Sequence, residues 1–209
     1  MMAPETEDAP SSSIDLYWLP LGAGASIVRF NGRVYEAVLA HHQRRESCAL
    51  VHAALEVTVP EGRHTIELAP VPDRAGPARG VVNEGPVGSR LLQGLRVFRY
   101  ELRCWRDGVI PDIAEAVGGS RRLTEEVALA QTVLTMAAAT PRLVWGRDEA
   151  RTGEMWNSNS AISWLLVRSG VPLEAAGFPA GTRAPGWFAG VTVAHRQATE
   201  TGPLEGSRV

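Results

Sequence analysis

The sequence predicts an α+β fold, an antiparallel sheet packed against helices, on three observations. The first half is made of short runs rich in β-branched and aromatic residues, joined in pairs by tight-turn sequences. The second half carries longer segments with helix-starting and helix-stopping residues at their ends. Strands precede helices rather than alternating with them, which favours antiparallel connections. With 209 residues, 44% of them hydrophobic, the chain has the size and apolar content for one domain with its own core. We place that domain at residues 14–197. Residues 1–13 and 198–209 have too few apolar side chains to bury and are expected to be disordered tails.

LYWLP (16–20), SIVRF (26–30) and RVYEAVL (33–39) read as strands. Asn31-Gly32 between the last two is a strong hairpin signal, because both residues tolerate the positive φ of a two-residue turn. SCALVHAALEVTV (47–59) and RHTIELAPV (63–71) form a second hairpin about Pro60-Glu61-Gly62. A loop rich in Gly and Pro covers 72–88, and LRVFRYELRCW (95–105) is a further strand, its Arg and Glu alternating with Val, Phe and Leu. A helix is expected over 110–119, opening with Pro and Asp and stopping at Gly118-Gly119. Another is expected over 123–140, with Thr124 as N-cap and Glu125 and Glu126 in the first turn, where the helix dipole favours negative charge. A third covers 157–169 and is closed by Gly170. VTVAH (191–195) reads as a final strand.

The net charge is −2, and the positive charge, all of it Arg, is scattered. A nucleic-acid binder ordinarily shows a clustered basic excess, so nucleic acid is not an expected partner. No run reaches the roughly 18 apolar residues of a membrane span. The N-terminal stretch lacks the basic and apolar regions of a secretory signal, so a cytoplasmic location is expected. Cys48 and Cys104 fit no CxxC pattern and read as reduced thiols. No metal or organic cofactor is indicated, and the oligomeric state is not legible.

Three groups draw attention as candidates for chemistry. His52 sits in ALVHAALEV, too apolar for a solvated strand, where alternation puts Leu50, His52 and Ala54 on one face. It is either a satisfied core histidine or a general base beside a nucleophile. The next hairpin arm offers His64 and Glu67, which point to opposite faces, so only one readily faces His52. His64 adjoins the turn and is expected to be exposed. Glu67, between Ile66 and Leu68, is either a carboxylate on the wet face or the third member of a triad, orienting an imidazole. The last group is EMWNSNSAISWLLVRSG (154–170), where Asn157 and Ser158 begin a helix. Ser and Asn are good caps. A hydroxyl in a first turn also sits at the positive end of the helix dipole, where a nucleophile and its oxyanion are stabilised. Asn159 and Ser160 then face water or bond the cap, while Trp156, Trp164 and Leu165 pack the helix onto the sheet.

His52 in HAALEV, Glu67 in the ELAP segment one hairpin arm later, and Asn157-Ser158 at the start of a late helix together resemble the permuted papain-like fold. That group includes circularly permuted NlpC-type hydrolases and lecithin:retinol acyltransferase-like proteins. The resemblance covers residues 47–71 and 155–170, about a fifth of the chain. It implies a circularly permuted papain-like domain in which His52 is the base, Glu67 orients it and Ser158 is the nucleophile. It also implies a substrate with an amide, ester or thioester, whether a small molecule, a peptide or an acyl donor. Two positions depart from the family pattern: Ser158 stands where the family has Cys, and Glu67 where many relatives have His. Serine cannot idle as a thiolate does and needs a working base. A serine hydrolase or acyltransferase, an inactive binding module, and a cysteine enzyme whose nucleophile has been replaced by Ser all fit these departures.

Other motifs carry less. LGAGASI (21–27) leads into strand rather than helix and lacks the third glycine of a dinucleotide loop. AHHQRRE (40–46) has two histidines but no set of further ligands at metal spacing. NEGPVGSR (83–90) lacks the lysine of a phosphate loop. The six tryptophans are dispersed and mostly core, with Trp145 and Trp156 the two expected to line an apolar acyl or peptide pocket.

Overall fold

The structure is a computed structural model and describes residues 12–21, 48–71, 80–110 and 112–200. The hairpin expected over 26–39 lies outside them. The described strands are β1 (Ser13–Pro20), β2 (Ala49–Val59), β3 (Gly62–Pro70), β4 (Val81–Pro86), β5 (Arg99–Arg106), β6 (Ser120–Thr124) and β7 (Thr182–Arg183). The helices are α1 (Val127–Met136), α2 (Ser158–Arg168) and α3 (Trp187–Glu200). Six strands pair antiparallel in the order β4-β5-β3-β2-β1-β6, and β7 adds a short parallel pair to the start of β2. The α+β class follows the sequence expectation, and α3 continues through Glu200, past the expected start of the C-terminal tail.

Strand alternation sorts the residues of β2 between two faces. Val51, Ala53, Leu55, Val57 and Val59 face a core shared with Ile14, Leu16 and Trp18 of β1, Ile66 and Leu68 of β3, and Ile162, Leu165 and Leu166 of α2. Burying each such aliphatic side chain contributes roughly 1.5–3 kcal/mol, so this layer is the main source of stability. The opposite face carries His52, Ala54 and Glu56. It is covered by Ile110, which packs against Leu19 and Ala54, with Ile113 and Ala116 beside it.

Several elements depart from the sequence expectation, each for a packing reason. β4 lies within the expected loop. Its Gly85 belongs to the strand because a Cβ there would overlap the Tyr100 ring on β5. β5 starts only at Arg99, after a 3-10 turn over Arg96–Phe98. The expected helix over 110–119 is a 3-10 turn of three residues, Ile113–Glu115. The segment instead stretches across the sheet: Asp112 is left-handed at φ 60°, and Val117 N–H donates to the Trp18 carbonyl at 2.8 Å. Thr124 belongs to β6, so α1 begins at Val127 with Glu126 as its N-cap; Thr124 Oγ1 accepts the Glu126 N–H. VTVAH is helical within α3. Trp187, Gly190, Val193 and Ala194 recur at helical spacing on its buried side, and tertiary packing overrides their β propensity.

Candidate functional site

The odd-numbered residues of β2 point their peptide groups toward β3, but the two strands pair only from Leu55 to Val59. Three partners serve that edge in turn. Ala49 N–H donates to Gly181 beside β7. At Val51 and Ala53 no described strand pairs on this edge, and the Asn159 side chain takes the place of one. Its Oδ1 accepts the Ala53 N–H at 2.8 Å, and its Nδ2 donates to the Val51 carbonyl at 3.0 Å. From Leu55 onward β3 takes over. Asn159 is therefore a buried plug in the sheet, a correction to the expectation that it faces water or bonds the cap.

The other polar residues of the turn are equally committed. Asn157 is the N-cap: its Oδ1 accepts from the N–H groups of Asn159 and Ser160, and its Nδ2 donates to Pro185. Ser160 completes a capping box, accepting the Asn157 N–H, and its hydroxyl lies 2.8 Å from the Gly186 carbonyl. Ser163 donates to the Trp187 carbonyl at 2.7 Å, tying α2 to α3. Gly186 is left-handed at φ 84°, and a Cβ there would crowd Met155 O, Asn157 Oδ1 and Ser160 Oγ at 2.6–2.7 Å. The helix is closed at Gly170 as expected.

Ser158 is the exception. It is 4% exposed, yet among the described residues its hydroxyl makes no hydrogen bond. The first-turn N–H groups of Asn159, Ser160 and Ala161 all go to Asn157. The Ser158 N–H is left without a partner among the described residues. Ser158 is one residue step, about 3.8 Å along the chain, from the side chain clamped on the peptide groups either side of His52.

His52 lies on the other face, where Leu19 is its cross-strand partner. It is half-buried, and burial pushes its imidazole down to about 4, against the opposing pull of the Asp112 carboxylate. The ring is thus neutral at physiological pH. Glu67 is on the same face, opposite Arg103 of β5, and is 7% exposed rather than on a wet surface. Burial holds its carboxyl above the ordinary range, Arg103 opposes this and Asp112 adds to it; its Oε2 is buried without a partner. Arg103 Nε also binds Glu101 at 3.1 Å. His64 points to the core face and is half-buried, with Nδ1 unpartnered, a correction to its expected exposure.

The structure therefore puts His52 and Glu67 on one face of the sheet, while α2, which begins at Ser158, packs on the opposite face and reaches the His52 strand through Asn159. Among the described residues no hydrogen bond links the three. Asp112, the acidic group acting on both His52 and Glu67, was missed as a site residue; its only sequence signal was its place as a helix-starting residue. Trp145 and Trp156 are bridged through their backbones, and Trp145 stacks obliquely on Tyr100 at 5.8 Å. Trp156 is 2% exposed and belongs to the helix-side core, as do Trp164 and Leu165. Cys48 and Cys104 form no disulfide, and burial pushes the Cys104 thiol up to about 11, which leaves it inert. Among the described residues no group of His, Cys, Asp or Glu is placed to hold a metal, and no helix is long and apolar enough to cross a membrane. Comparison with protein-family models, curated proteins and solved structures gives no match.

Proposed function

We propose that the protein is a hydrolase or acyltransferase of papain-like type that acts on an amide, ester or thioester through Ser158. The observation that carries this reading is the unclaimed Ser158 hydroxyl and N–H in a turn whose other polar groups are committed, docked by Asn159 at the peptide groups flanking His52. Ser158 Oγ attacks the carbonyl carbon as His52 takes its proton. The Ser158 N–H, at the positive end of α2, stabilises the oxyanion. The tetrahedral intermediate collapses, His52 returns the proton to the leaving group, and an acyl-serine remains. Water or an acceptor nucleophile releases the acyl group by the same steps in reverse. A carboxylate on the His52 face orients the ring, and the sequence reading gives this part to Glu67. Asn157 shapes the turn, and Trp145 and Trp156 form its apolar surround.

A fluorophosphonate probe tests this. Labelling of the wild type that is lost in Ser158→Ala and in His52→Ala supports the reading; equal labelling of Ser158→Ala contradicts it. The missing hydrogen bond between His52 and Glu67 favours a second reading, a cleft that binds without turnover, which predicts no labelling at all. Activity gained in Ser158→Cys points to a cysteine enzyme whose nucleophile has been replaced by Ser.

A further inference from the structure

Asp112 stands at the N-cap of the turn Ile113–Glu115, where an aspartate ordinarily accepts a backbone N–H. Here it makes no such bond. Its backbone is left-handed, at φ 60° and ψ 23°, and among the described residues its carboxylate has no hydrogen-bond partner. A non-glycine residue holds the left-handed region at a cost and persists there only where its surroundings fix it. The surroundings are explicit. Ile110 is buried against Leu19 and Ala54, and Ile113 packs on the same cluster. Leu19 is the cross-strand partner of His52, and Ala54 is the next residue on the His52 face. Further anchors are Thr65 Oγ1, donating to the Gly108 carbonyl at 2.9 Å, and Val117 N–H, donating to the Trp18 carbonyl. The segment is thus pinned on both sides of Asp112, directly over the strand that carries His52.

The geometry points to Asp112, in place of Glu67, as the positioning carboxylate of His52, an inference that rests on the proposed role of His52 as base. The segment that carries Asp112 packs on the His52 face and the Asp112 charge favours the protonated ring, while Glu67 lies opposite Arg103 on β5 with a buried oxygen left unpartnered. A base pushed down to about 4 is weak, so a carboxylate that stabilises its protonated form is what the reaction needs. As His52 takes the serine proton, the Asp112 carboxylate stabilises the imidazolium. Charged or titratable groups on this face also include Asp15 and Tyr17 of β1, Glu56 of β2, Arg63 and Glu67 of β3, Glu84 of β4, Arg99, Glu101 and Arg103 of β5, Arg122 of β6 and Arg183 of β7, with Asp107 and Glu115 on the covering segment.

The test follows the ¹⁵N imidazole signals of His52 in the full chain, assigned with His52→Gln. Asp112→Gly and Asp112→Asn both tolerate a left-handed backbone, so the variants separate loss of the carboxylate from loss of the turn. At pH 7 the wild type should show one dominant tautomer. Asp112→Gly should mix the tautomers, Asp112→Asn should lower the titration midpoint by roughly half a unit or more, and Glu67→Gln should leave both as in wild type. Unchanged signals in both Asp112 variants, or a tautomer shift in Glu67→Gln alone, would overturn the assignment. The readout needs no turnover, so it still decides the role of Asp112 if the probe fails to label the wild type.

Discussion

At the start of α2, Asn157, Asn159, Ser160 and Ser163 are matched to backbone partners in the cap, in β2 and in α3. On the far face of the sheet, among the described residues, Glu67 has a buried oxygen with no partner, His52 has no hydrogen bond, and Asp112 makes no side-chain bond to the cap beside it. Matched polar groups specify a geometry, because losing any one strands its partner. Unmatched ones weaken the fold and survive where something else requires them. Ser158 belongs by position to the first region and, with a hydroxyl that makes no hydrogen bond among the described residues, to the second, and this makes it the candidate nucleophile.

The largest expected effect comes from breaking the matched region. A Cβ at Gly190 would overlap the Ser160 carbonyl oxygen and the Ser163 hydroxyl, so Gly190→Ala must push α3 off α2. We expect a loss of about 3 kcal/mol or more in denaturant unfolding.

The unmatched region should show itself through pH. The folded value of His52 lies near 4, below its ordinary 6.5, so between these limits the unfolded chain binds the extra proton. Stability should fall as pH drops through that window, by about 3 kcal/mol from this group. His52→Gln should flatten the slope, read by urea titrations at a series of pH values.

A smaller loss is expected from Asn159→Ala, which leaves the Ala53 N–H and the Val51 carbonyl without a partner. About 2 kcal/mol in urea unfolding would confirm the plug, and the Ala53 amide should exchange faster with solvent. A variant as stable as the wild type would show that water or β3 closes the gap.

The sequence made the second hairpin legible, because β2 and β3 are apolar-rich runs on either side of the Pro60-Glu61-Gly62 turn. It also made α2 legible through its cap and Gly170. β4 was hidden because Gly85 reads as loop until Tyr100 is placed over it. α3 was hidden because Val191, Thr192 and Val193 favour strands by local preference, while burial of Gly190 and Ala194 against α2 decides the outcome. His52, Glu67 and Ser158 stood out as chemistry in an apolar context. The plug role of Asn159 depends on where β2 and β3 part, and the role of Asp112 on a positive φ, and neither leaves a mark in residue order.

Removing the Ser158 hydroxyl strands no buried partner among the described residues, so Ser158→Ala should keep wild-type stability to within about 0.5 kcal/mol. That makes it a clean instrument for the central claim. The decisive measurement is the rate of fluorophosphonate labelling of the wild type beside folded Ser158→Ala. Labelling of the wild type and none of the variant is the predicted result. Equal labelling of both proteins, or none of either at millimolar probe, would contradict Ser158 as a nucleophile and return it to helix capping.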